Sequence, residues 1–287
     1  MPELPEVEVV KKSLNKSIKN LTIKKVIINT KKLRYIVDKT KLTKLQKRKV
    51  TNIKRRSKYL IFNFDQEIFL LAHLGMTGKF LIEEKNKLKK TGFHDRIDNK
   101  SFKHNHITFV FNQNKKLIYN DVRKFGFLKV LNTKSISKNS HLKNLGPEPL
   151  SENFDLDYFN KKINNRKRKI KDLLMDQKFI SGLGNIYVNE VLYLSRVNPN
   201  RIINKLSIYE VKNIIKFIKL VIKKSIKQGG SSIKNFKNSD GKSGQYQQKF
   251  KVYARAGQLC KRVKCNDFIR RVIISNRSTF FCPNCQK

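Results

Sequence analysis

The sequence predicts an α+β chain: an N-terminal β-sandwich domain flanked by a helix, then a largely helical domain ending in a cysteine-bearing β-hairpin. Three observations carry this. Val7, Val10, Leu14 and Ile18 recur at helical spacing near the start. Short runs of strand character, separated by polar turns, fill the rest of the first half. All four cysteines of the 287-residue chain lie in its last 28 residues.

The opening helix follows Pro2-Glu3-Leu4-Pro5-Glu6. Proline fits a first helical turn and acids suit the positive end of its dipole. Runs of strand character follow at 22–29, 50–64, 68–74, 106–111, 116–120 and 127–131. A Ser/Lys/Asn-rich stretch then ends in Gly146-Pro147-Glu148-Pro149 and reads as a hinge. Beyond it, helical segments are expected at 169–177 and 186–194, divided by Gly182-Leu183-Gly184-Asn185. Ser207-Ile208-Tyr209-Glu210 is a capping box, and its helix should run to about Gln228 before Gly229-Gly230 stops it. A second Gly-rich loop spans 239–244. Near the end, strands at 271–274 and 278–281 flank a tip of Ser275-Asn276-Arg277.

Charge narrows the partner. Lys and Arg number 65 against 21 Asp and Glu, a formal net charge of +44 that points to a polyanion. The positive charge is spread along the whole chain, so part of its magnitude reflects composition rather than one binding face. No apolar run approaches membrane-spanning length, and the acidic, proline-bearing start does not resemble a signal peptide. A cytoplasmic, nucleoid-associated monomer is expected.

Two constellations carry chemistry. Removal of Met1 would expose the ring nitrogen of Pro2 as the chain's amino terminus. An α-amino group has a reference pKa near ~8, so a useful fraction is free base at neutral pH. With Glu3 adjacent, a secondary amine can attack an electrophilic sugar carbon and carry an imine. The plain alternative is an ordinary helix start. Cys260, Cys265, Cys282 and Cys285 form CxxxxC and CxxC pairs with zinc-ribbon spacing. A reducing cytosol disfavours disulfides, so four thiolates around one structural Zn²⁺ are expected. Clamped at its base, the hairpin could present Arg277 to a DNA groove.

The colinear order of several motifs resembles bacterial formamidopyrimidine-DNA glycosylases over nearly the whole chain. They are the start 2–8, Arg55-Arg56-Ser57-Lys58-Tyr59-Leu60, His73-Leu74-Gly75-Met76-Thr77-Gly78 and Asp121-Val122-Arg123-Lys124-Phe125-Gly126. Leu145 to Leu150, Gly182 to Tyr187, Gln228-Gly229-Gly230, Ser239 to Lys242 and the cysteine hairpin complete the set. Leu4 favours this branch over the related endonuclease VIII branch.

The resemblance implies a base-excision enzyme for oxidised purines in double-stranded DNA, both glycosylase and apurinic/apyrimidinic lyase. It also implies a β-sandwich catalytic domain (1–134), a hinge (135–150), a helix–two-turn–helix domain with a lesion loop (151–249) and a zinc finger (250–287). By that resemblance Pro2 forms the Schiff base and Glu3 is the acid for base loss and ring opening. Lys58 donates the proton for β-elimination, and Arg277 serves δ-elimination or clamps a phosphate. Met76, Arg123 and Phe125 resemble the triad that fills the space left by a flipped base. His73, His104, Arg166 and Asn185 match backbone contacts, and Lys242 lies in the loop that closes on the lesion. The chain departs from the family pattern in its CxxxxC spacing, in Val122 where proline is common, in Lys124 where arginine is usual and in Ala254 before Arg255. Two other readings remain: an endonuclease VIII-like enzyme for oxidised pyrimidines, and a non-catalytic zinc-containing nucleic-acid-binding protein.

Overall fold

The first helix, α1 (Leu4–Ile18), buries Leu4, Val7, Val10, Leu14 and Ile18, the stripe that its periodicity predicted. At its start the Glu3 backbone N–H donates to Glu6 Oε2 at 2.9 Å. The strands that follow are β1 (Ile23–Ile28), β2 (Val50–Arg56), β3 (Tyr59–Phe64), β4 (Ile68–His73), β5 (Gly78–Glu84), β6 (Lys87–Lys90), β7 (Asn105–Phe111), β8 (Lys115–Asp121) and β9 (Phe127–Asn132). Two short helices, α2 (Lys39–Thr43) and α3 (Thr133–Ser137), lie between and after them. The computed structural model describes residues 1–85, 87–91, 99–164, 166–231 and 246–287.

The strands form two antiparallel sheets, ordered β1-β7-β8-β5-β6 and β2-β3-β4-β9. Along β3 every second residue is buried, so Leu60, Phe62 and Phe64 face inward. They share one apolar core with Phe80, Ile82, Phe109, Leu117 and Tyr119 of the other sheet. Phe62 and Phe80 meet edge to face with ring centroids 5.4 Å apart. Burying each such side chain stabilises the fold by roughly 1.5–3 kcal/mol.

The run 50–64, expected as one stretch of strand character, is two strands. Ser57 adopts φ +56° and turns the chain, so that Arg56 pairs directly with Tyr59. Lys58 stands in that two-residue turn. Strands β5 and β6 were not anticipated: β5 ends in Glu83-Glu84 and β6 has lysine at three of its four positions, residue types that are depleted in strands.

By its contacts the chain divides into two units. The first comprises Met1–Lys143 with the described residues 228–231, and the second Asn144–Lys227 and Tyr246–Lys287. In the second unit α4 (Leu156–Ile163), α5 (Ile170–Met175), α6 (Asn185–Leu194) and α7 (Ile208–Lys227) precede a hairpin of β10 (Arg270–Ile274) and β11 (Arg277–Phe281). Helix α6 is buried from Ile186 to Tyr193 and forms the centre of this unit. The capping box of α7 forms as expected: Ser207 N–H donates to Glu210 Oε2 at 2.8 Å, and Glu210 N–H to Ser207 Oγ at 3.2 Å. The hairpin tip is Ser275-Asn276, both with positive φ, the conformation that a two-residue hairpin turn demands. Arg277, expected at the tip, instead opens β11 and pairs with Ile274. Among the described residues no helix is long and apolar enough to cross a membrane.

Candidate active site and DNA-binding residues

The residues singled out in the sequence fall into two groups, one per unit. In the first, Pro2 and Glu3 are buried while Met1 is about half exposed. Met1 lines an open cavity of about 760 Å³ with Arg34, His73, Met76, Arg123 and Phe125. Burial pushes the terminal amine below its ordinary pKa of 8.0. The carboxyls of Glu3 and Glu6 oppose that shift, and the charges of Lys58 and Arg123 reinforce it. The chain terminus, the acid and the lysine expected to cooperate therefore share one electrostatic neighbourhood. Glu6 also ties the terminus to the Gly-Gly segment, since its Oε1 accepts the Ser231 N–H at 2.7 Å and the Ser231 hydroxyl at 3.0 Å.

His73 ends β4. Its Nδ1 accepts the Gly75 N–H at 3.1 Å, which leaves the ring proton on Nε2. Its ring stacks on Phe127 at 5.7 Å, and burial with neighbouring positive charge pushes its pKa down to about 4. Any phosphate that it meets at neutral pH meets a neutral N–H donor.

The proposed wedge is already assembled. Arg123 Nη1 lies 3.2 Å from Met76 Sδ, and its guanidinium carbon sits 4.4 Å from the centre of the Phe125 ring. Met76 and Phe125 are 47% and 43% exposed, so neither is a core residue. His104 is half buried at the end of a short 3₁₀ turn, Asn99–His104, its ring 6.5 Å from that of His106.

In the second unit Arg277 is exposed and shares a cleft of about 830 Å³ with Arg168, Lys171 and Asp176. Lys171, which lines the same cleft, was not singled out in the sequence, where it follows the basic run 166–169. It is fully buried, and its Nζ donates to Thr279 Oγ1 and to the Ser278 carbonyl. Burial, with Arg277 nearby, pushes its pKa down to about 8 against the pull of Asp172. Asn185 Nδ2 donates to the same Ser278 carbonyl at 2.8 Å, so this side chain supports the hairpin. Arg166 is exposed beyond α4. Lys242 lies outside the described residues.

The four cysteine sulfurs lie within 4.8 Å of one another, with Cys260–Cys285 at 3.9 Å and Cys265–Cys282 at 3.6 Å. Tetrahedral Zn–S bonds of about 2.3 Å require sulfur separations near ~3.8 Å. The longer first knuckle closes through a turn in which Cys265 N–H donates to the Arg262 carbonyl and Lys264 takes φ +61°. The Asp267 backbone N–H and the Asn284 amide lower the Cys265 pKa to about 6, while burial raises those of Cys282 and Cys285. The spacing of these four residues suits a metal-binding site.

A model of the formamidopyrimidine-DNA glycosylase N-terminal domain matches residues 1–128, and one of the H2TH domain of the same glycosylase matches 145–237. The chain belongs to the formamidopyrimidine-DNA glycosylase family. Members from Rickettsia bellii (strain OSU 85-389) and Rickettsia canadensis (strain McKiel) are 40% and 39% identical to it. Those matches cover all of this chain and 100% and 99% of the relatives. Among solved structures, a Lactococcus lactis Fpg mutant in complex with Fapy-dG-containing DNA superposes with a TM-score of 0.86 at 34% identity, over 100% of both chains. The Lactococcus lactis Fpg bound to abasic-site DNA gives 0.85 at 34%, over 99% of both. The two-sheet sandwich, helical unit and cysteine hairpin are the family's α+β fold.

Proposed function

We propose that this glycosylase removes oxidised purines through an imine on Pro2. Family membership makes the chain a base-excision DNA repair enzyme, a DNA-formamidopyrimidine glycosylase with the apurinic/apyrimidinic lyase activity typical of the family. Its partner is DNA carrying oxidised bases or abasic sites, as in the relatives' complexes. The cytoplasm is the compartment this reading implies.

The carrying observation is the pKa-lowered terminal amine, next to buried Pro2 and Glu3 and in the field of Lys58. Once Met1 is removed, the same burial would act on the Pro2 nitrogen and favour its unprotonated form. Its lone pair attacks C1′ as the bond to the damaged base breaks. Glu3 acts as the acid both for the departing base and for opening of the sugar ring at its oxygen. The resulting iminium is an electron sink that acidifies the 2′ position, so loss of a 2′ proton expels the 3′ phosphate with Lys58 managing the proton. Arg277 serves the second elimination or holds a phosphate. No step requires a metal ion at the reacting carbon. The cysteine cluster would hold Zn²⁺, whose chemistry is structural: four thiolates close the coordination sphere and fix the hairpin.

Borohydride trapping on duplex DNA with 8-oxoguanine opposite cytosine tests this reading. Wild-type protein should give a covalent adduct that Pro2→Gly loses. Tight binding without an adduct in the wild type would make the chain a non-catalytic binder. Parallel duplexes with oxidised pyrimidines, if trapped preferentially, would move it to the endonuclease VIII branch.

A further inference from the structure

We infer that Asp121 is the positioning residue of the wedge, holding Met76, Arg123 and Phe125 in their inserting arrangement before DNA arrives. This rests on reading those three side chains as the void-filling triad. Asp121 ends β8 and is fully buried. Oδ1 accepts the Thr77 hydroxyl at 2.5 Å and the Arg123 N–H at 3.3 Å, while Oδ2 accepts the Gly126 N–H at 2.8 Å and the Tyr119 hydroxyl at 3.3 Å. Four donors occupy the ~four acceptor positions of a carboxylate. Two come from the backbone of the loop bearing Arg123 and Phe125, and one from the residue after Met76.

Thr77 closes the circuit, because its Oγ1 also accepts the Arg123 N–H at 3.0 Å. Backbone contact reinforces it. Gly75 takes φ +61°, and a Cβ there would lie 2.5 Å from the Phe125 carbonyl carbon, so the two loops touch main chain to main chain. Strand pairing brings the two loops together at their ends, Gly78 with Asp121 and His73 with Phe127, and the Asp121 carboxyl group ties their interiors, where the exposed wedge has no core beneath its tips. Rigidity matters because insertion must offset unstacking, and a loop ordered only on binding would lose part of that gain.

The test uses full-length protein and a duplex carrying a tetrahydrofuran abasic analogue beside 2-aminopurine. The analogue lacks the C1′ hydroxyl and cannot form an imine, so its fluorescence reports insertion whether or not the Pro2 reading holds. Asp121→Asn sets an amide donor against donors, and Thr77→Val removes the linking hydroxyl. Each should slow or weaken insertion about tenfold, the effect of losing one charge-assisted bond, while Thr77→Ser behaves as wild type. Trapping on single-stranded abasic DNA, which has no stack to fill, should stay within about twofold of wild type, the change a merely local loss permits. Wild-type insertion by both variants, or equal losses on duplex and single-stranded DNA, would overturn the assignment. Insertion by the unmutated protein that both variants lose, with no trapping on any substrate, would remove the Pro2 reading and leave this one standing.

Discussion

His73 shows how one side chain's surroundings settle its chemistry. Its folded pKa of about 4 lies below the ordinary 6.5, because burial between Tyr59 and Phe127 penalises the charged ring. Between those values the unfolded chain binds the proton and the folded one does not. His73 therefore contributes stability that is complete above pH 6.5 and is lost as pH falls through about 4. Denaturation curves of wild type and His73→Gln from pH 7 to 4 should converge as the acid limb is entered; a constant gap would contradict the shift. Replacement should also weaken DNA binding while leaving the salt slope unchanged, since a neutral donor releases no counterion. The motif around His73 was visible in the sequence, but its neutrality was not. That follows from Phe127 and the Gly75 N–H folding onto the ring, which no local pattern records. Lys171 was missed for a similar reason: in a chain so rich in lysine, nothing local marks it as buried.

At the scale of elements, the β10–β11 hairpin is held from three sides. Lys171 and Asn185 meet the Ser278–Thr279 edge of β11, and Asn189 Oδ1 accepts the Phe280 N–H at 2.7 Å. The cysteine cluster closes the base. Glu190 of α6 accepts the N–H groups of Lys251, Val252 and Tyr253 at 2.8–3.0 Å, securing the segment that leads into the hairpin. Lys171→Met should keep bound metal and shift the lyase products toward β-elimination alone, because Arg277 loses its support; electrophoresis of the cleaved ends reads this out. Unchanged product ratios would count against it. Cys285→Ser should release one equivalent of zinc to a chromogenic chelator and abolish DNA binding, whereas full binding without metal would refute the structural role. The cysteine spacing, the Ser207 capping box and the α1 stripe were legible because each is local. The break at Ser57 and strands β5 and β6 were not. A serine with positive φ has no signature, and the glutamates of β5 and lysines of β6 are residue types that strands seldom use.

For the whole molecule, a formal charge of +44 makes binding to any duplex steeply dependent on salt. Charge alone left enzyme and binder open. What separates them is family membership, shown by full-length relatives at 40% and 39% identity. Protein retaining Met1 should bind lesion DNA and form no borohydride adduct, because an acylated proline nitrogen has no lone pair to give. The most direct measurement is peptide mapping by mass spectrometry of the reduced cross-link to 8-oxoguanine DNA. The account predicts a single modified peptide with the deoxyribose remnant on the nitrogen of Pro2. A remnant on Lys58 or any other lysine, or lesion cleavage with no cross-link at all, would contradict it.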